Sequence, residues 1–104
     1  MRKNNLSITK NHKVKTPKQL ERHFKGISNY RRIEIILLIK KSPSITLDKI
    51  AEDLNANYKT VSEHVARLVQ SGLIYRKQNG SHAEYSLTPY GKIFYNFILD
   101  FMTL

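Results

Sequence analysis

Residues 45–74, which read ITLDKIAEDLNANYKTVSEHVARLVQSGLI, contain the pattern that is most informative about the fold. Thr46 can cap a helix over residues 47–54, in which apolar residues recur at helical spacing. The Asn-Ala-Asn triplet at residues 55–57 ends that helix. A second helix is predicted over residues 58–71, with Gly72 in the left-handed position that commonly follows a helix. The segment therefore predicts two helices joined by a short turn.

The second of these helices has one apolar face and one polar face. Its inward stripe is Val61, Val65, Leu68 and Val69. Placing residues at 100° intervals puts a polar set on the far side, with two further polar residues at its flanks. The candidate contact residues on and beside this outer face are Lys59, Thr60, Ser62, Glu63, His64 and Arg67. An ordinary solvated helix face would have the same pattern, so the face alone does not decide the function.

The neighbouring segments complete a recognisable element order. Downstream, residues 73–77 and 83–87 are predicted strands joined by a turn that contains Asn-Gly, and Thr88-Pro89 opens a final helix. Upstream, Thr16-Pro17 opens a helix over residues 17–25 that should stop at Gly26. A further helix follows Ser28 or Asn29 and runs to Lys41, and a short extended segment, Ser44-Ile45-Thr46, leads from it into the helix over residues 47–54. This order predicts a mainly α fold with a small β-hairpin, which is a winged helix-turn-helix.

The basic charge is concentrated at the beginning of the chain. The 104 residues carry a net charge of +10, which suits a polyanionic partner such as nucleic acid. Residues 1–32 hold ten Lys or Arg and one acidic residue, Glu21. We expect residues 1–15 to form a flexible basic arm and residues 16–104 to form a single domain. The arm cations Arg2, Lys3, Lys10, Lys13 and Lys15 would either track a DNA backbone or act as a solubilising tail.

Three segments resemble ArsR-like transcriptional regulators. Residues 23–36 are similar to the loop and the Arg-led apolar helix that open that family's domain. Residues 45–54 are similar to its first helix-turn-helix helix. Residues 59–74, with Val-Ser-x-His and a terminal Gly-Leu-Ile, are similar to its recognition helix and the start of its wing, although MarR-like proteins share the Gly-Leu ending. The resemblance covers residues 17–88 and implies sequence-specific binding of double-stranded DNA by a transcriptional regulator, with the recognition helix at about 58–71 in the major groove.

The predicted hairpin, at about residues 73–87, would then be a wing on the flanking backbone. Its candidate DNA contacts are Arg76, Lys77, Asn79 and His82. A charged edge that discourages strand aggregation is the alternative interpretation. Glu63 on the recognition helix repels phosphates, so a functional Glu63 should accept from a cytosine amino group or orient Arg67.

Several other functions are disfavoured by the sequence. Cysteine is absent, which excludes disulfides and thiolate metal sites. Metal sensors of the ArsR-like type use cysteines, or His and acidic residues of the last helix, and here that helix offers only Asp100. The four His are widely spaced, so we expect no metal or other cofactor. No catalytic motif, signal peptide or membrane-spanning run is visible, so a cytoplasmic protein that is not an enzyme is expected.

The terminal helices carry more apolar surface than one small core can absorb. Such surfaces usually mark association sites, so the first and last helices are predicted to form a homodimer. The candidate interface residues are Leu20, Phe24, Tyr90, Phe94, Phe97, Ile98 and Phe101. The last helix could instead fold back over its own domain. Two other functions stay open: a protein-interaction module that docks a partner through the aromatic last helix, and an RNA-binding protein.

Overall fold

A computed structural model of the chain describes residues 14–104, so most of the predicted arm lies outside the described residues. Within residues 14–104, five helices and three strands follow one another. They are α1 (Pro17–Ile27), α2 (Tyr30–Lys41), β1 (Ile45–Thr46), α3 (Leu47–Leu54), α4 (Tyr58–Gln70), β2 (Ile74–Asn79), β3 (His82–Leu87) and α5 (Pro89–Met102). The predicted winged helix-turn-helix is confirmed.

Three of the helices begin at the threonine caps that the sequence predicts. The hydroxyls of Thr16, Thr46 and Thr88 each accept a hydrogen bond from the backbone N–H three residues further on. Thr16 and Gln19 also form the reciprocal capping box, with Gln19 Oε1 2.8 Å from the Thr16 amide. These local bonds satisfy N–H groups that have no partner inside the helix, so they fix where α1, α3 and α5 start.

Helix α2 lies at the centre of the domain. Its residues Ile35, Ile36 and Ile39 are fully buried, and α1, α4, α5 and the sheet pack around it. Helix α4 contributes its predicted stripe to the same core through Val61, Val65 and Leu68. The core therefore holds α4 by one face and leaves the other face outside.

The helices of residues 14–104 include none with the length and hydropathy of a membrane span.

The extended segment predicted at residues 44–46 forms a third strand, whose pairing into the sheet the sequence did not predict. Strand β1 pairs antiparallel with β3, with Ile45 opposite Tyr85, and the strand order is β1-β3-β2. Both hairpin strands also extend further than predicted, so that only Gly80 and Ser81 lie in the turn. Gly80 has φ = 66°, a conformation that glycine adopts without steric cost. The wing is consequently a tight two-residue hairpin anchored at its base by β1.

Gly26 does not end the first helix, and this prediction was wrong. Helix α1 continues to Ile27, and Gly26 is buried against Ser71 at the end of α4. A Cβ atom at residue 26 would collide with both the Cβ and the Oγ of Ser71. Glycine is needed here because α1 and the end of α4 approach each other closely, and not because the backbone turns.

Candidate nucleic-acid interface

Helix α4 presents a polar face that the rest of the domain leaves exposed. Asn55 adopts a left-handed conformation after α3, and the side chain of Asn57 then caps α4 through the Thr60 amide at 3.0 Å. With this start fixed and the apolar stripe buried, the opposite side is available to a partner. The exposed residues of that side are Lys59, Thr60, Glu63, Ala66, Arg67 and Gln70. The predicted outer face of α4 is therefore exposed to solvent.

The two flanks of α4 differ. Ser62 is half-buried on the flank that faces the wing, where a shallow pocket joins it to Ala66, Arg76 and Tyr85. His64 is half-buried on the other flank, where the Arg32 Nη1 group lies 3.1 Å from His64 Nδ1. Burial lowers the pKa of His64, and the positive charge of Arg32 lowers this pKa further. His64 is thus held neutral against α2, as a flanking residue with a hydrogen bond.

Arg32 makes a contact that the sequence analysis missed. Its Nε group also donates to the Gly26 carbonyl at 2.6 Å, so this one side chain joins α1, α2 and α4. Burial, followed by repulsion from Arg67, lowers the pKa of Arg32 below its usual value. The Arg31-Arg32 pair before an apolar helix was the available signal. The arginine pair did not reveal that His64 on α4 is the partner of Arg32, because His64 lies 32 residues away in the chain.

Glu63 does not position Arg67 within the part of the chain that the structure describes, where no ion pair joins the two side chains. Glu63 is exposed on the outer face. Of the two roles considered for it, orienting Arg67 in the free protein has no geometric support. Accepting from a cytosine amino group stays a prediction.

The wing side chains form a hydrogen-bonded network around Glu84. Asn79 Nδ2 donates to Glu84 Oε2 at 2.7 Å, and His82 Nε2 lies 3.5 Å from the same oxygen. Arg76 Nη2 donates to Gln78 Oε1 at 2.8 Å. The four predicted wing residues Arg76, Lys77, Asn79 and His82 are all exposed. Glu84 was missed, although Lys77 lies directly opposite it across the strands, where opposite charges favour pairing.

The aromatic residues of α1 and α5 line an open apolar groove of about 540 Å³. Phe24 packs edge-on against Phe94 with ring centroids 5.1 Å apart, and Phe97 lies 4.7 Å from Phe101. We call this surface the aromatic groove; its apolar residues are Phe24, Ile27, Ile33, Phe94, Phe97, Ile98, Phe101 and Met102. Phe97, Phe101 and Met102 are about half exposed or more. The groove therefore has an uncovered apolar rim.

Two candidate interface residues on α5 have partners within the chain. Ile98 is only 8% exposed and belongs to the core cluster. Ile98 also lines the aromatic groove, and its place in a dimer interface stays a prediction. The ring of Tyr90 stacks on the buried imidazole of His23 at 4.8 Å, and Lys15 Nζ lies 4.5 Å from its centroid. Tyr90, like the exposed Leu20, lies outside the lining of the aromatic groove.

Among residues 14–104, no cluster of His and acidic side chains could hold a metal ion.

Comparisons with known proteins agree with this fold. A family model described as the MarR family matches residues 29–81, which is half of the chain. The transcriptional regulator SlyA is 25% identical with a TM-score of 0.69, over 77% of this chain and 59% of its own. The YusO protein from Bacillus subtilis is 28% identical with a TM-score of 0.68, over 81% of this chain and 62% of its own. The chain thus spans about three-fifths of the length of each of these two proteins.

A third similar structure is the homodimeric winged helix-turn-helix domain of Mb0332 from Mycobacterium bovis, described as a possible ArsR-family regulator. It has a TM-score of 0.75 at 18% identity and covers 88% of this chain and 91% of its own, so it supports the shared fold alone. The narrower resemblance to ArsR-like regulators is not confirmed by the family model. The match over residues 29–81, which contain the helix-turn-helix and the first strand of the wing, shows that the chain belongs to the MarR family.

Proposed function

We propose that this chain is a sequence-specific regulator that binds double-stranded DNA as a homodimer, with α4 in the major groove and the wing on the flanking backbone. The observation that carries the proposal is the exposed polar face of α4. Lys59 and Arg67 supply donors for guanine N7 and O6 or for phosphates, and Thr60 supplies a short polar side chain. An α-helix of this kind fits the width of the major groove.

The wing extends the same surface. Arg76 and Lys77 carry positive charge on β2, and the two-residue turn at Gly80 lets the hairpin tip approach a duplex closely. The Glu84 carboxylate accepts a hydrogen bond from Asn79 and lies near His82. Glu84 therefore orders the hairpin tip and reduces the net positive charge of the tip. We expect Arg76 and Lys77 to contact phosphates and Asn79 to act as a polar contact at the tip.

The aromatic groove supports the proposed dimer. Its exposed rim includes Phe97, Phe101 and Met102, and a second copy of α5 would bury those side chains by twofold symmetry. The interface of this dimer would be formed by the first and last helices, α1 and α5. A twofold dimer would place two α4 helices about 34 Å apart, which matches successive major grooves on one side of a duplex.

A mobility-shift titration with duplex DNA over a salt series tests the function. We expect binding at low salt that weakens steeply as salt rises, because Lys and Arg contacts release counterions. Arg67→Ala should lose about 1 to 3 kcal/mol of binding to a preferred sequence if it contacts a base, and Lys59→Ala should weaken binding as well. Lys92→Ala on α5 is a matched control that removes one exposed positive charge outside α4 and the wing.

Absence of duplex binding at low salt would contradict the proposal and would favour the protein-interaction module. Preference for RNA hairpins over duplex DNA would favour the RNA-binding alternative. Unchanged affinity in both Arg67→Ala and Lys59→Ala, with duplex binding intact, would show that the outer face of α4 is not the contact surface.

A further inference from the structure

A second basic surface lies beside α4 on the flank away from the wing. It is an open cleft of about 550 Å³ between α1, the start of α2 and the end of α4. We call it the α1 cleft. Its lining consists of Lys18, Glu21, Arg22, Lys25, Gly26, Arg32, Arg67, Gln70 and Ser71. Five positive side chains and one carboxylate therefore share this space.

The single carboxylate leaves the cleft strongly positive. Glu21 is shared between Lys25, at 3.3 Å, and Lys18, at 3.9 Å, and both lysines are largely exposed to solvent. Exposed pairs of this kind contribute little to stability and are readily exchanged for another anion. With Arg22, Arg32 and Arg67 also present, the cleft has the charge of an anion-binding site.

Two of the arginines are anchored to the backbone and still have donors available. Arg22 Nε donates to the Gln70 carbonyl at 2.8 Å, and Arg32 Nε donates to the Gly26 carbonyl at 2.6 Å. Each guanidinium has five N–H donors, so these bonds leave several for a ligand. Phosphate oxygens match this planar arrangement of donors well. The anchoring also places the positive charge beside Arg67, at the edge of the outer face of α4.

The position of the cleft relative to the wing suggests which anion it takes. The wing packs along the flank of α4 that carries Ser62 and Ala66, and the cleft lies along the flank that carries Arg67. A helix in the major groove lies between two phosphate backbones, which form the walls of a groove about 12 Å wide. If the wing meets one of these backbones, the α1 cleft faces the other.

We propose that the α1 cleft binds the phosphate backbone of the DNA strand opposite the one that the wing contacts, so that each domain holds both walls of the groove around α4. This inference rests on the proposed function. It adds Lys18, Arg22, Lys25 and Arg32 to the contact surface, and none of these residues belongs to α4 or the wing.

The test compares two double variants that remove the same amount of positive charge. Lys18→Gln with Lys25→Gln changes the cleft at residues that hold no buried contact. Lys41→Gln with Lys92→Gln is the control, at exposed positions outside the cleft. Fluorescence anisotropy with a duplex of mixed sequence gives the slope of log affinity against log salt. We expect the cleft variant to lower the slope by about 0.9 for each phosphate that the protein no longer neutralises, and the control to keep the wild-type slope.

Glu21→Gln provides the converse test, because removing the carboxylate should strengthen duplex binding and steepen the slope. Equal slopes for the cleft variant and the control, with duplex binding intact, would overturn the cleft proposal and leave the proposed function standing. Calorimetry with inorganic phosphate gives a further outcome. If the cleft variant loses phosphate binding but keeps the duplex binding of the wild type, the cleft binds a small anion and the cleft proposal is overturned. Failure of the wild-type protein to bind duplex DNA would contradict both proposals.

Discussion

Arg32 donates a hydrogen bond to His64 across 3.1 Å, and this bond joins α2 to the flank of α4. Because a guanidinium only donates, His64 Nδ1 must accept, and it can do so only when the imidazole is neutral. Burial and the charge of Arg32 both lower the pKa of His64. The orientation of α4 is therefore linked to the protonation state of one histidine.

Acidification should weaken the fold through His64. The unfolded chain binds a proton at this histidine near its usual pKa of 6.5, whereas the folded chain resists protonation to lower pH. The contribution of His64 to stability is thus complete above about pH 6.5 and is lost as the pH falls toward the lowered pKa, with a slope of at most about 1.4 kcal/mol per pH unit. His64→Gln should flatten this dependence in urea unfolding measured over a pH series.

His82→Gln is the control for this measurement, because it removes an exposed imidazole from the wing. It reports the effect of replacing a histidine by glutamine without breaking the contact between α2 and α4. The same steepness in His64→Gln as in the wild type would contradict the role assigned to the Arg32–His64 bond.

Gly26→Ala should destabilise the domain because the added methyl group collides with Ser71. Ser71 is 4% exposed and its hydroxyl donates to the Leu68 carbonyl at 3.0 Å, so it has little room to move. We expect a loss of about 1 to 3 kcal/mol in the free energy of unfolding. Adding Ser71→Gly should restore part of this loss, since it removes the colliding atoms. Equal stability of Gly26→Ala and the wild type would rule out the close packing of α1 on α4.

Phe97→Glu should prevent dimerisation, because it places a charge in the exposed rim of the aromatic groove. Phe97 is 49% exposed. Tyr75→Glu is a matched control, because Tyr75 is 51% exposed and lies on β2, away from the groove. Sedimentation equilibrium over a concentration series should give a dimer for the wild type and for Tyr75→Glu, and a monomer for Phe97→Glu. A wild-type monomer at every concentration would exclude the proposed dimer.

What the sequence predicts well is local. The caps at Thr46 and Thr88 act within one helical turn, and the apolar stripe of α4 follows from its own spacing, so both could be read directly. The extended segment at residues 44–46 was predicted, but its pairing into the sheet was not, because only the contact with the distant strand β3 makes it a strand. The role of Gly26 was misread because its reason, Ser71, lies 45 positions away in the chain.

In the candidate site, too, the local features were predicted from the sequence and the features that join distant residues were not. The outer face of α4 belongs to one helix and was predicted from its sequence. The α1 cleft joins residues from three helices, so spacing along the chain does not reveal it. The burial of Ile98 in the core cluster could not be read from the sequence, because helical spacing identifies an apolar face and does not say whether the same chain or a second copy covers it.

Sequence-specific binding by α4 can be measured by selecting bound sequences from a random duplex pool. We expect enrichment of one motif with twofold symmetry, whose half-sites lie about 10 base pairs apart from centre to centre, as two α4 helices in successive major grooves require. Arg67→Ala should weaken binding to the enriched duplex more than to a scrambled one. A pool that stays random after repeated rounds, while the protein remains folded, would contradict sequence-specific DNA binding by this chain.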